Sequence, residues 1–276
     1  MSGVPYAEVI GDPIAHSKSP AIHKFWLGKL GIEGDYRHCL VRPAELAAYF
    51  EARRADTDWR GCNITMPHKL AALEHVHKPQ DPSFPIEPIN IALPRNGQIE
   101  GLNSDINGLS EPLLAHLAGQ PGQRGPAIVV GAGGVLYSVM WVLSALGYGP
   151  IWIVTRGDDA RKAQIAKDYK GVQGRPIGHG DPLPPANLLV NGTPMGMRGF
   201  PGFTLPLDSL SPDAIVFDLV YDPLETPLLQ AARARGLRTI DGLSMLVAQA
   251  AVAFQAFFAA LAPRQHDTEL RELLVR

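Results

Sequence analysis

The chain is 276 residues long, more than a single hydrophobic core usually supports, and it predicts two domains. Apolar residues make up 46% and charged residues 19%, a balance that excludes intrinsic disorder, and 25 cations scattered among 27 anions leave no basic run for a nucleic acid. Cys39 and Cys62 are the only cysteines, too few for a disulfide framework or a four-cysteine zinc site. Residues 1–6 show no cationic segment leading into an apolar run, so no signal peptide is expected. The apolar stretch 243–261 contains Ser244, Gln249 and Gln255 and is rich in alanine, which favours a buried helix over a membrane span. A cytoplasmic protein without membrane or nucleic-acid partners is expected, as a monomer or homodimer.

Short apolar runs alternate with helix-period segments, the pattern of βαβ units and mostly parallel sheets. Residues 5–10 predict a first strand, and a helix follows to about residue 30, with Ser19 before Pro20 as its N-cap. Residues 36–41 predict a strand and 43–54 a helix; 62–65 then predict a strand and 67–75 a helix opened by Pro67. Four prolines between residues 79 and 88 exclude a helix there. Residues 89–93 and 98–102 predict a hairpin around Asn96-Gly97. A helix over 105–117 leads to a Gly/Pro/Gln-rich connection at 119–126. Beyond it the pattern restarts, with strands at 127–130, 151–154, 188–190 and 215–217, helices at 135–146 and 159–169, and a helical tail from 242, broken near Pro263. The expected division is 1–106 together with 242–276, and 107–241.

Three segments carry chemistry. Asn63-Ile64-Thr65-Met66-Pro67-His68-Lys69 sets an amide, a hydroxyl and an ammonium at the carboxyl end of a strand, the edge where open α/β sheets bind ligands. With Asn103-Ser104-Asp105 it suggests a Lys69–Asp105 couple for proton transfer, although Asp105 also suits a helix cap. Gly131-Ala132-Gly133-Gly134 lies between a strand and the helix beginning at Val135, the context in which glycines admit a pyrophosphate to a helix N-terminus. About 24 residues on, Thr155, Arg156 and Asp158 end the next strand: Arg156 suits the 2′-phosphate of NADP and Asp158 the free ribose of NAD. Thr193, within Asn191-Gly192-Thr193-Pro194, ends another strand where a nicotinamide could lie. Ser17 and Ser19 have both a ligand-binding and a structural reading, as does Tyr221. Gln249 is a polar group in an apolar helix, and an unpaired buried amide costs about 1–3 kcal/mol. His16, His23 and His68 lack metal-ligand spacing, so no metal is expected.

In order and together, these motifs resemble the shikimate dehydrogenase family. The likeness takes in Gly11-Asp12-Pro13-Ile14-Ala15-His16-Ser17-Lys18-Ser19-Pro20, the Lys69 and Asp105 motifs, Gly131–Gly134, Asp218–Tyr221 and the segment from Asp241 to Ala250. It implies a substrate domain joined by the C-terminal helices, a Rossmann-type dinucleotide-binding domain, and NADP or NAD as cofactor. It further implies reversible oxidation of a ring hydroxyl of shikimate with Lys69 and Asp105 as the catalytic pair. Ser17, Ser19, Asn63, Thr65, Asn90, Tyr221 and Gln249 would surround the ring, and Leu219, Gly242 and Met245 would line the nicotinamide end. The chain departs from the family pattern at Ile91, Ser104 and Gly157, where threonines are usual, and in the proline-rich 78–88 segment. A quinate or amino-substituted substrate, or a ligand-binding protein that kept the pocket, are the alternatives.

Overall fold

The computed structural model describes residues 3–77, 88–118, 124–156, 159–168, 174–178, 180–203 and 205–275. The chain forms two compact units, residues 1–107 with 247–276, and residues 108–246. Both boundaries fall within helices, α3 (Asp105–Leu117) and α7 (Gly242–Phe258).

In the first unit, β1 (Tyr6–Gly11), α1 (Ser19–Leu30), β2 (Asp35–Leu40), α2 (Leu46–Arg54) and β3 (Trp59–Ile64) lead into a hairpin of β4 (Ile91–Arg95) and β5 (Gln98–Leu102). The sheet order is β2-β1-β3-β4-β5, with β1 parallel to β2 and β3, and with the hairpin antiparallel. Asn96 and Gly97 both have positive φ, 52° and 76°, as a two-residue hairpin turn demands. Alternation along β1 feeds two cores. Ala7 and Val9 pack with Tyr36, Ile91, Leu93 and, from α7, Ala253 and Phe257. Tyr6 and Ile10 pack with Cys62, Ile64 and, from α2, Leu46, Tyr49 and Phe50. Gly61 is required at φ 141°, because a Cβ there would sit 2.5 Å from the Phe257 ring.

Glu8 lies on the α2 side of β1 and is 1% exposed. Its Oε1 accepts from the Tyr49 hydroxyl at 2.8 Å and from Arg53 Nε at 2.7 Å, so the buried charge is paired and hydrogen-bonded. His23 of α1 is fully buried, stacked on Tyr36 at 4.0 Å, and neither ring nitrogen has a partner among the described residues. Burial pushes its pKa down to about 3. Helix α8 (Asp267–Leu274) closes on α1, where Lys29 pairs with Glu269 and the Lys18 ammonium donates to the Leu274 carbonyl at 2.6 Å.

The second unit comprises β6 (Gly125–Val130), α4 (Val135–Ala145), β7 (Tyr148–Thr155), α5 (Asp159–Asp168), β8 (Gly174–Gly178), β9 (Ala186–Asn191), β10 (Leu210–Asp218), α6 (Pro227–Ala234) and β11 (Arg238–Ile240). All six strands are parallel, in the order β11-β10-β9-β6-β7-β8. This is the doubly wound arrangement, in which the chain reverses direction across the sheet between β6 and β9. Ile128, Val130, Val154, Leu189 and Val216 pack with Leu228, Leu229 and Ala232 of α6, the near-continuous apolar strands expected of a covered parallel sheet. No helix among the described residues is long and apolar enough to cross a membrane.

Several expectations are corrected. Residues 67–75 do not form an α-helix: a turn with a cis Met66–Pro67 bond leads to a 3₁₀ segment, Ala71–His75. The Lys69 carbonyl accepts from Ile89 N, so the acceptor that would extend an α-helical ladder is already engaged. Ser19 is the first residue of α1 and not its N-cap; that position falls on Lys18, without a side-chain cap. The first turn of the 43–54 segment, Pro43–Glu45, is 3₁₀. Elements β8, α6 and β11 were not anticipated. The 78–87 part of the proline-rich segment, residues 119–123 of the connection, and Gly157 and Asp158 lie outside the described residues.

Candidate active site

In the first unit, the predicted polar residues gather at one edge of the sheet. Strands β1, β3 and β5 run in the same direction, and their carboxyl ends deliver the loop holding Ser17 and Ser19, then Thr65 and Lys69, and then Ser104 and Asp105. Because β4 runs the other way, the residue entering it, Asn90, lies at the same edge.

Lys69 Nζ donates to Asp105 Oδ2 in a pair whose side chains are 17% and 4% exposed. The Asn90 amide braces it: Nδ2 donates to Asp105 Oδ1 at 2.8 Å and to Gln249 Oε1 at 3.0 Å, while Oδ1 accepts from the Ser104 backbone N–H at 2.7 Å. The start of α3 is set by Asn103, whose Oδ1 accepts from Asp105 N at 2.8 Å. That leaves the Asp105 carboxylate for the lysine and not for capping its own helix. Asn63 bonds to Asn90 O and Tyr36, and Ser17 Oγ accepts from Ser19 N at 3.3 Å. His68 is not turned to this cluster; its Nε2–H donates to Val41 O at 2.7 Å in the interior.

Seven of the predicted residues, with Thr65, thus share one unit: Ser17, Ser19, Asn63, Lys69, Asn90, Asp105 and Gln249. Tyr221 belongs to the other unit, just beyond β10. Sequence reasoning missed Tyr36 and Ser104 as parts of this network. Ser104 is fully buried, and its place between two motif residues was the available signal; nothing near Tyr36 in sequence announces a partner 27 residues away.

In the second unit the candidate site is largely backbone. Gly131 follows β6 at the reversal point, at φ 107°, and a Cβ there would lie 2.7 Å from Thr193 Cγ2. Gly133 faces open space, and α4 begins after Gly134 with no side-chain cap on its N-terminus. An uncapped helix N-terminus behind a side-chain-free turn has the donors and partial positive charge that suit a phosphate. Thr155 is buried and Arg156 exposed at the end of β7. Asn191 organises the next loop: its Oδ1 accepts from Thr193 N and Oγ1, and its Nδ2 donates to Asp218 Oδ1 at 2.9 Å. Asp218 is buried and its carboxyl is raised by desolvation, against bonds from Thr226, Val220 and Asn191. Gly242 must be glycine, since a Cβ would meet the Leu219 carbonyl at 2.3 Å, and Met245 is buried one turn on. Asp241 caps α7 by accepting from Ser244 N at 3.0 Å. Among the described residues, no group of three or more His, Cys, Asp or Glu is placed to hold a metal ion.

Residues 9–92 match the substrate binding domain of shikimate dehydrogenases. The chain is 48% identical to shikimate dehydrogenase (NADP(+)) of Sphingopyxis alaskensis, over 98% of this chain and 97% of that one. Among solved structures, shikimate 5-dehydrogenase of Thermus thermophilus, in complex with NADP(H) and shikimate, has a TM-score of 0.81 and 32% identity, covering 98% of this chain and 99% of that one. Quinate dehydrogenase of Corynebacterium glutamicum, in complex with NAD, has the same TM-score at 27% identity, with coverage of 98% and 99%. With near-complete overlap at this level of identity, and a doubly wound second sheet to match, the chain belongs to the shikimate dehydrogenase family.

Proposed function

We propose that this protein is an NADP-dependent shikimate dehydrogenase that reversibly oxidises one ring hydroxyl of shikimate to the ketone. The observation that carries the reading is the Lys69–Asp105 pair, held by Asn90 at the ligand-binding edge of the first unit. A nicotinamide dinucleotide, when bound, supplies the hydride donor or acceptor for the ring carbon. Gly131, Ala132, Gly133, Gly134 and Val135 would hold its pyrophosphate, with Thr193, Leu219, Gly242 and Met245 towards the nicotinamide. The open turn and uncapped α4 support this assignment. The exposed Arg156 supports a 2′-phosphate, hence NADP over NAD.

Lys69 moves the hydroxyl proton. As an ammonium it is ready to protonate the oxygen during ketone reduction; in the oxidative direction it must first release that proton. Asp105 accepts from the reacting hydroxyl and fixes the ammonium, so the acid arrives already oriented. Ser17, Ser19, Asn63, Thr65, Asn90 and Gln249 form the remaining ring contacts of the first unit in this reading.

The test is an absorbance assay of dinucleotide reduction with shikimate and quinate, each with NADP and NAD. Shikimate with NADP is expected to give the highest kcat/KM. Faster turnover of quinate would reassign the substrate to that of the Corynebacterium relative. Dinucleotide binding without turnover of either ring would mark a ligand-binding protein.

A further inference from the structure

Two side-chain amides beside the Lys69–Asp105 pair have their orientations fixed by main-chain groups, which cannot turn over. Asn63 has one amide atom 3.2 Å from the Asn90 main-chain carbonyl. A carbonyl only accepts, so that atom is Nδ2, and Oδ1 is left to take the Tyr36 hydroxyl, which donates at 2.6 Å. Asn90 has one amide atom 2.7 Å from the Ser104 backbone N–H. That group only donates, so the atom is Oδ1, and Nδ2 points to Asp105 and to Gln249. The Gln249 atom 3.0 Å from a donating nitrogen is therefore Oε1, which also lies 3.3 Å from Ser104 Oγ. The group left over on Gln249 is Nε2, which has no hydrogen-bond partner among the described residues. Asn63, at 5% exposure, likewise keeps one N–H beyond its bond to Asn90.

We infer that Gln249 and Asn63 meet the ring only as donors: their C=O groups are taken by Asn90, Ser104 and Tyr36, so both present N–H and demand a ring oxygen with lone pairs opposite them. The inference rests on the shikimate dehydrogenase reading and narrows its substrate class. A ring carrying a protonated amine at either place is refused, because an ammonium has no lone pair and would meet N–H against N–H. Gln249 and Asn63 are then the specificity-determining residues. Tyr36 and Ser104 are positioning residues that hold their polarity, and Asn90, itself a ring contact in that reading, fixes Gln249. An ordinary glutamine could turn to suit either a hydroxyl or an amine; this one cannot without breaking its bonds to Asn90 and Ser104.

The experiment compares kcat/KM for shikimate with that for two analogues, each having one non-reacting ring hydroxyl replaced by an amine. The purified protein is assayed alongside Gln249→Glu, which keeps the shape and puts an acceptor where Nε2 stood. The native protein is expected to disfavour at least one analogue by about 10- to 100-fold, the loss expected from an unmatched buried polar group. Gln249→Glu is expected to shrink that ratio at least about tenfold, by slowing shikimate and improving the amine. Should Gln249→Glu fail to fold, Gln249→Met removes the donor without adding charge and should also narrow the ratio, through loss on shikimate alone. Turnover of both analogues within about threefold of shikimate overturns the inference, as does a variant that slows all three rings by one common factor. In either case shikimate is still oxidised, so the dehydrogenase reading survives; no turnover of any ring overturns both.

Discussion

The two units build their candidate strand-edge sites from opposite materials. In the first unit, the candidate groups are side chains held by other side chains: Lys69 leans on Asp105, Asp105 on Asn90, and Asn90 on Ser104 and Gln249. In the second unit, the absence of side chains is what matters, at Gly131, where a Cβ would strike Thr193, and at Gly242, where it would strike Leu219. A side-chain network can be altered one function at a time. A bare backbone turn has no side chain to alter, so it is perturbed only by adding atoms, and at Gly131 the first added carbon already meets Thr193.

The largest effect should come from the first unit. Lys69→Ala is expected to lower kcat by about 10²–10⁴-fold while changing the dissociation constant for shikimate far less, as single-turnover kinetics and calorimetric titration would show. Turnover near the native rate would take proton transfer away from Lys69. Next comes Gly131→Ala in the second unit. Forcing a Cβ into φ 107° and against Thr193 costs about 1–3 kcal/mol, so the dinucleotide KM should rise about tenfold or more, with shikimate binding to the free protein unchanged. Adding Thr193→Ser removes the methyl that the new Cβ meets and should recover part of the loss. No recovery would put the damage in the backbone angle alone.

A third effect concerns stability and separates the packing of the first unit from its chemistry. His23 stays neutral in the folded protein down to about pH 3, whereas an exposed histidine takes a proton near its ordinary value of 6.5. Between those limits the unfolded chain binds the extra proton. The stability this histidine contributes is therefore intact above pH 6.5 and is lost as pH falls toward 3, by up to about 1.4 kcal/mol per pH unit. Urea denaturation from pH 7 to 4 should show this slope, and His23→Phe should flatten it.

Much of this architecture could be read in the sequence because its signals are local. The alternating and continuous apolar runs gave most strands, Asn96-Gly97 gave the hairpin, and glycines between β6 and α4 gave the turn. The failures have physical causes. The 67–75 segment has helix-compatible residues, but Ile89, twenty residues away, takes the Lys69 carbonyl. Strand β8 (GRPIG) is short, with only partly buried or exposed residues, and shows no apolar run to detect. The candidate residues Lys69, Asp105, Asn90 and Gln249 were named from motif order; that Asn90 joins the other three came only with the fold, across 15 to 159 residues of chain. Tyr36 and Ser104 act through partners that no sequence window contains.

Glu8 bears on how the first sheet avoids a mistake. Sliding β1 by one residue against its neighbours would turn every side chain over to the opposite face. The carboxylate would then leave Tyr49 and Arg53 and enter the aromatic side of the sheet, among the apolar cluster of Tyr36 and Phe257. An unpaired buried charge is worth several kcal/mol, enough to empty that competing alignment. A glutamate that looks out of place in an apolar strand thus acts as a proofreader of strand pairing.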